Sequence, residues 1–272
     1  MEPVDNLLLC VWGDIKTAKT TLALSFPTPI FHIDFDFSFR RAIPRFEDQY
    51  TVLALSDDKP VTEALLGSAD IVTKQYQLPI KLSRGAVKGS LNLWEKQVVP
   101  DFITAVTSTK IKSLIVDTGT VMWKLNTDAQ LDRVQQAASK NNRTRENLIQ
   151  IEYSQPNMEM RGLIGAVRTY GKNLCITHHI GGIYEDHLTA QGKESVRVGD
   201  TWDGFNHLGA LVDVVIKTSI DKTTPGSITP LGAIETCGYS LEAEGISLPY
   251  PSYPSLLGLI NGLRNGNGNN SS

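Results

Sequence analysis

Short continuous apolar runs recur along the chain, each closed by glycine, threonine or a carboxylate: Leu7 to Trp12 before Gly13, Ile30 to Ile33 before Asp34, Leu114 to Val116 before Asp117, and Leu174 to Ile176 before Thr177. A run without polar alternation predicts a strand buried on both faces. Residues 51 to 55 predict another strand. Between these runs the spacing becomes helical. Thr20 to Phe26, closed by Pro27 and Pro29, is a short helix-compatible stretch. Trp94 to Ser108 spaces Trp94, Val98, Val99, Phe102, Ile103 and Val106 as a helix that Pro100 is expected to kink near its start, and Met158 to Tyr170 repeats the spacing with Met160, Leu163, Ile164 and Val167. Strand alternating with helix predicts an α/β fold, a mainly parallel twisted sheet with helices on both faces. Leu211 to Ile220 predicts a late strand with residues 232 to 239 as its partner. Residues 56 to 92, broken by Gly67, Gly85 and Gly89, predict short elements and loops, while 128 to 157 and 181 to 206 predict polar surface segments.

With 272 residues, 41% apolar and 20% charged, the chain is long enough for a substantial core and is not a disordered polymer. One domain over 1–264 is expected, followed by a disordered Asn/Gly/Ser tail over 265–272. Lys and Arg number 26 against 29 Asp and Glu, so contact with a polyanion would have to be local. No window reaches the length of a membrane span, and the acidic start Met1-Glu2-Pro3-Val4-Asp5 lacks the basic region of a signal peptide, so a cytoplasmic protein is expected. Cys10, Cys175 and Cys237 are widely spaced and read as buried reduced thiols, neither a disulfide framework nor a zinc ribbon.

The most specific chemistry follows the first strand. Gly13, Asp14, Ile15, Lys16, Thr17, Ala18, Lys19 and Thr20, continued by Thr21, match the phosphate-binding loop G-x-x-x-x-G-K-[ST], with Ala18 in place of the second glycine. Such a loop must leave a strand and open a helix, whose N-terminal N–H groups cradle phosphates, and the flanking runs supply both. Lys19 would neutralise the β- and γ-phosphates of ATP and Thr20 would ligate Mg²⁺. A Cβ at Ala18 crowds the loop and would slow turnover without abolishing binding. Asp117, at the end of another buried strand, is the expected second Mg²⁺ residue. Asp34 and Asp36 project from one face of an extended chain, and a carboxylate there would orient the attacking water. Thr177 and His179 share a face opposite His178, which disfavours a zinc site from Cys175 and His178 and leaves His179 to donate to the γ-phosphate.

The order G-D-I-K-T-A-K-T-T-L-A, P-I-F-H-I-D-F-D, S-L-I-V-D-T and N-L-C-I-T-H-H resembles the RecA-like P-loop ATPases over roughly residues 5 to 220. The resemblance is greatest to the small phage-type nucleotide-binding proteins associated with single-strand annealing and recombination. It implies a Mg²⁺-dependent ATPase in the host cytoplasm, assembled as a ring or filament, with the catalytic base at Asp36 (Asp in place of the more usual Glu) and the γ-phosphate sensor at His179. ParA-type partition ATPases share the I-D-x-D strand end. They carry a second loop lysine where this chain has Asp14, and their connection is longer than the 15 residues from Lys19 to Asp34.

The resemblance also places single-stranded DNA contacts in 128–157 and 181–206. The first holds Arg133, Lys140, Arg143 and Arg145 and is the better candidate. The second sets Lys193 and Arg197 against Glu185, Asp186, Glu194, Asp200 and Asp203, a poor phosphate partner, although Tyr184 and Trp202 offer stacking faces. Lys217 and Lys222 are the nearest candidates for cations presented to a neighbouring subunit's nucleotide. Three functions stay open: an ATPase coupled to single-stranded DNA in recombination or replication, a slowly hydrolysing regulatory or assembly protein acting through protein partners, and a small-molecule kinase using the same loop.

Overall fold

A computed structural model describes residues 4–46, 48–83, 85–139, 145–189, 192–224 and 226–266, the side chains of 188, 189, 192 and 266 excepted. Lys140, Arg143 and residues 267–272 of the expected tail lie outside them. The strands are β1 (Leu8–Gly13), β2 (Ile30–Asp34), β3 (Val52–Leu55), β4 (Ile71–Gln75), β5 (Ser113–Asp117), β6 (Asn173–Thr189), β7 (Gly192–Trp202), β8 (Val214–Asp221), β9 (Thr229–Cys237) and β10 (Ser247–Pro249). The α-helices are α1 (Lys19–Ala23), α2 (Phe39–Ala42), α3 (Glu63–Leu66), α4 (Ser90–Leu93), α5 (Val99–Thr107), α6 (Gly119–Ser139), α7 (Ser154–Thr169) and α8 (Tyr253–Gly266).

The sheet order is β10-β9-β8-β1-β6-β5-β2-β4-β3. The neighbours from β8 to β3 pair in parallel, and β9 and β10 are added antiparallel. Both sheet faces are covered, as continuous apolar strands require. Leu8, Cys10 and Trp12 of β1 join one core with Phe102, Met122, Leu125, Met160 and Leu163 from α5, α6 and α7. Leu9 and Val11 join the other with Leu22, Phe39, Leu256 and Ile260 from α1, α2 and α8. Cys10, Cys175 and Cys237 are buried and unbonded, as expected. No helix among the described residues is long and apolar enough to cross a membrane.

Several expectations change. The stretch 56–92 contains a central strand, β4, hidden from an apolar reading by Lys74. Its ammonium is buried and paired with Asp101 at 2.6 Å, and that same carboxylate oxygen accepts from the Tyr76 hydroxyl at 2.8 Å. Pro100 lies inside one continuous helical run from Ser90 to Thr107, and the ladder departs from α geometry directly before it, in a π-helical turn over Trp94–Val98, as the N–H that proline lacks would lead one to expect. The expected surface segment from 128 is helix as far as Ser139, and its buried Asp132 accepts from the N–H groups of Gly89 and Leu91 at the start of α4. Residues 181–206 are largely a hairpin: β6 continues past the sheet and pairs antiparallel with β7 from Ile180–Trp202 to Thr189–Gly192. At the C-terminus α8 runs to Gly266, past the expected start of the tail.

Candidate functional site

The loop after β1 is held open by its backbone. Gly13 has φ 148°, and a Cβ there would meet the carbonyl oxygen of Thr218 on β8, so glycine is required by close approach. Lys16 and Ala18 are left-handed at φ 60° and 67°. That explains the glycine of the usual pattern: position 18 turns the chain into α1, and Ala18 holds the turn at a steric cost. Thr17 ties the loop down through its hydroxyl, 2.8 Å from the Asp14 carbonyl and 2.7 Å from Thr218 Oγ1. Ile15 is exposed, and Thr21 Oγ1 accepts from Arg45 at 3.0 Å.

Lys19 is buried, and its Nζ donates to the carbonyls of Gly13 (2.9 Å) and Asp14 (2.6 Å). Burial holds the ammonium below its ordinary pKa, and the charges of Asp117, Asp14 and Asp36 offset part of that fall. A lysine kept on two carbonyls at a helix start is poised to exchange them for phosphate oxygens.

At the centre lies Asp117, ending β5 at a cis Asp117–Thr118 peptide. Its Oδ2 accepts from Thr20 at 2.6 Å and from Ser38, while Oδ1 accepts from Thr177. His32 Nε2 stands 3.9 Å from Oδ2, and Nδ1 meets Thr73 Oγ1 at 2.9 Å. His32 is pushed down to about 4 by burial, more than nearby Asp117 and Asp36 raise it, so the ring is neutral at physiological pH. The sequence names Thr20 and Asp117 together, and the structure brings their side chains within 2.6 Å of each other. Sequence reasoning missed Ser38 and His32, which no local pattern marks. Thr177 was legible only as a residue facing the same way as His179.

The two carboxylates after β2 part company. Asp36 lies 3.8 Å from His179 Nε2 and accepts from the Ser38 N–H at 2.9 Å. Burial works to raise its pKa, but the nearby His179 ring and the hydrogen bonds from Ser38 outweigh it and hold Asp36 below the ordinary carboxylate value. Asp34 is buried, accepting from the Ser38 N–H (3.3 Å), Gln75 Nε2 (3.4 Å) and the Asp36 N–H, and its pKa is pushed up to about 7 by burial and then by the charges of Asp117 and Asp36, which outweigh those hydrogen bonds. His179 is anchored through its N–H to Thr120 Oγ1 at 3.0 Å. His178 points the other way, buried, with Nδ1 2.9 Å from the Asp203 carbonyl, and is pushed down to about 4, chiefly by burial.

These groups fit a nucleoside triphosphate with Mg²⁺. No group of three His, Cys, Asp or Glu among the described residues forms a self-sufficient metal cage. One strand-end carboxylate bonded to a helix-start hydroxyl is instead the partial donor set of an ion that takes its other ligands from phosphate and water.

A parallel sheet with a lysine-bearing loop after β1, an acidic strand end two strands away and another strand between them defines a P-loop nucleotide-binding ATPase. The chain belongs to the AAA domain family, whose model matches residues 5–244. Among solved structures it is similar to a KaiC-like protein from the hyperthermophilic archaeon Pyrococcus horikoshii, at 11% identity and TM-score 0.42, over 91% of this chain and 86% of that one. No match was found among curated proteins.

Proposed function

We propose that the protein is a Mg²⁺-dependent ATPase whose domain spans 1–264 and whose hydrolysis is coupled to single-stranded DNA in phage recombination or replication. The observation that carries the ATPase reading is the Asp117 carboxylate ringed by the hydroxyls of Thr20, Ser38 and Thr177, with the Asp36–His179 pair alongside. The loop from Gly13 to Thr21 holds the phosphates, and Lys19 leaves the carbonyls of Gly13 and Asp14 to neutralise them. Thr20 and Asp117 hold Mg²⁺, which when bound draws charge from the phosphate oxygens. Asp36, kept ionised by its hydrogen bonds, orients water and accepts its proton. His179 donates to the terminal phosphate.

The DNA half rests on the family resemblance and on Tyr184, which is exposed on the β6–β7 ribbon opposite Arg197, itself paired with Asp200 at 2.6 Å. The described bases of the first candidate region are already engaged, Arg133 with Glu95 and Arg145 with Glu152, each at 2.7 Å. Trp202 is an anchor to its own fold, donating to the Phe205 carbonyl at 3.2 Å.

A second reading, a nucleotide-dependent regulatory protein acting through protein partners, is favoured by the same ribbon. It exposes Ile183, Val196 and Val198 among acidic residues. Hydrolysis measured with and without a single-stranded oligonucleotide, against Lys19→Ala, separates the two. Stimulation that falls with salt supports DNA coupling. Hydrolysis indifferent to the oligonucleotide sinks it in favour of the partner-protein reading.

A further inference from the structure

A cavity of about 320 Å³ opens at the C-terminal ends of three adjacent parallel strands: Asp34 closes β2, Leu55 closes β3 and Gln75 closes β4, and all three line it. This is the sheet edge at which open α/β folds hold ligands, and the volume is within the range of about 300–1,000 Å³ usual for small-molecule sites. It is not the phosphate site. No residue from Gly13 to Thr21 lines it, and β6 and β5 stand between β1 and β2 in the sheet.

The lining restricts what fits. Phe39 and Leu55 give apolar walls. Gln75 and Gln77 each present a donor and an acceptor, and the buried Asp34 carboxyl presents oxygens that accept from the backbone N–H groups of Asp36 and Ser38 and, at 3.4 Å, from Gln75. Arg40, exposed, adds a cation, and the half-buried Asp57 adds a carboxylate, one oxygen of which accepts from the N–H of Asp58 at 3.0 Å. Thr73 also lines the cavity, but its hydroxyl is engaged by His32. A matching ligand has a flat apolar body, an edge that alternates donors and acceptors, and an anion. Aliphatic acids lack the edge and sugars lack the apolar body. A nucleobase carrying a phosphate has all three, and side-chain amides and carboxylates are the groups that pair with base edges.

We propose that this cavity is a second nucleotide site, which takes a base between Phe39 and Leu55, reads its edge with Gln75, Gln77 and Asp34, and holds its phosphate with Arg40. The same chemistry is offered by a free mononucleotide and by one unit of a single strand. The inference does not depend on the roles proposed for the phosphate loop.

The test is calorimetric titration of the full chain, saturated with Mg²⁺ and ATPγS, with the four deoxynucleoside monophosphates, the matching nucleosides and short single-stranded oligonucleotides. One equivalent of monophosphate binds. Gln75→Leu, or the exposed Gln77→Ala if the first unfolds, weakens it about tenfold or more. Arg40→Ala removes the advantage of nucleotide over nucleoside, and Lys19→Ala leaves this binding unchanged. Displacement of a bound oligonucleotide by monophosphate identifies the source as a strand unit, and monophosphate binding without oligonucleotide binding identifies it as the free nucleotide. The proposal is overturned if no monophosphate or oligonucleotide binds. It is also overturned if binding is lost with Lys19→Ala while Gln75→Leu and Gln77→Ala have no effect.

Discussion

Replacing Asp34 by Asn probes the most perturbed carboxyl of the site. Asp34 is buried, and its pKa is pushed from the ordinary 3.8 up to about 7 by burial and by the charges of Asp117 and Asp36. The folded state therefore holds a proton on Asp34 between pH 4 and 7 that the unfolded chain has released. With more protons bound in the folded state, this group makes stability fall as pH rises through that window. At about 1.4 kcal/mol per pH unit, the interval corresponds to a ceiling of ~4 kcal/mol of destabilisation above pH 7. Asn keeps the shape and the acceptor for the Ser38 N–H, and it mimics the protonated acid. Asp34→Asn is thus expected to match wild type near pH 4 and to exceed it by about 2–4 kcal/mol at pH 8. Urea unfolding of both proteins across pH 4 to 8, with chelator present, reads the difference. Other titrating groups cancel between the two proteins. A variant equally destabilised at pH 5 and pH 8 would refute the reasoning, because Asp34 would then be an ionised, well-paired carboxylate.

The remaining expectations concern the loop and the buried histidines. Gly13→Ala forces a Cβ against the Thr218 carbonyl at a φ of 148° and is expected to cost at least about 2 kcal/mol in thermal unfolding, while Ala18→Gly relieves a left-handed alanine and stabilises by up to about 1 kcal/mol. His32 and His178, both pushed down to about 4, contribute stability that is complete above pH 6.5 and lost as pH falls through 4. Their imidazole NMR resonances should therefore still report neutral rings at pH 5.5. Ser38→Ala removes a hydroxyl donor from the buried Asp117 carboxylate and should destabilise by about 1.5–3 kcal/mol, read by urea unfolding.

What the sequence disclosed followed from locality. The strands that carry the site are mostly apolar because both faces of a covered parallel sheet are dry, so β1, β2, β5 and the first part of β6 could be read from composition despite His32 within β2. The phosphate loop was legible because its function is set by consecutive backbone positions. β4 escaped because Lys74 interrupts it, and the partner that permits its burial, Asp101, is 27 residues distant. The β6–β7 ribbon escaped because much of it is exposed and little apolar patterning marks it. In the site, Thr20 and Asp117 were named from motif type. Ser38, Thr177 and His32 arrive from three different segments, and only the sheet order brings them to one carboxylate.

The most direct test of the account is equilibrium binding of ATP, with and without Mg²⁺, to wild type, Lys19→Ala and Asp117→Asn. Wild type should bind ATP more tightly with Mg²⁺. Lys19→Ala should lose binding in both conditions, and Asp117→Asn should keep binding but lose the Mg²⁺ effect. ATP bound equally well by Lys19→Ala would contradict the assignment of the loop after β1 as the phosphate site.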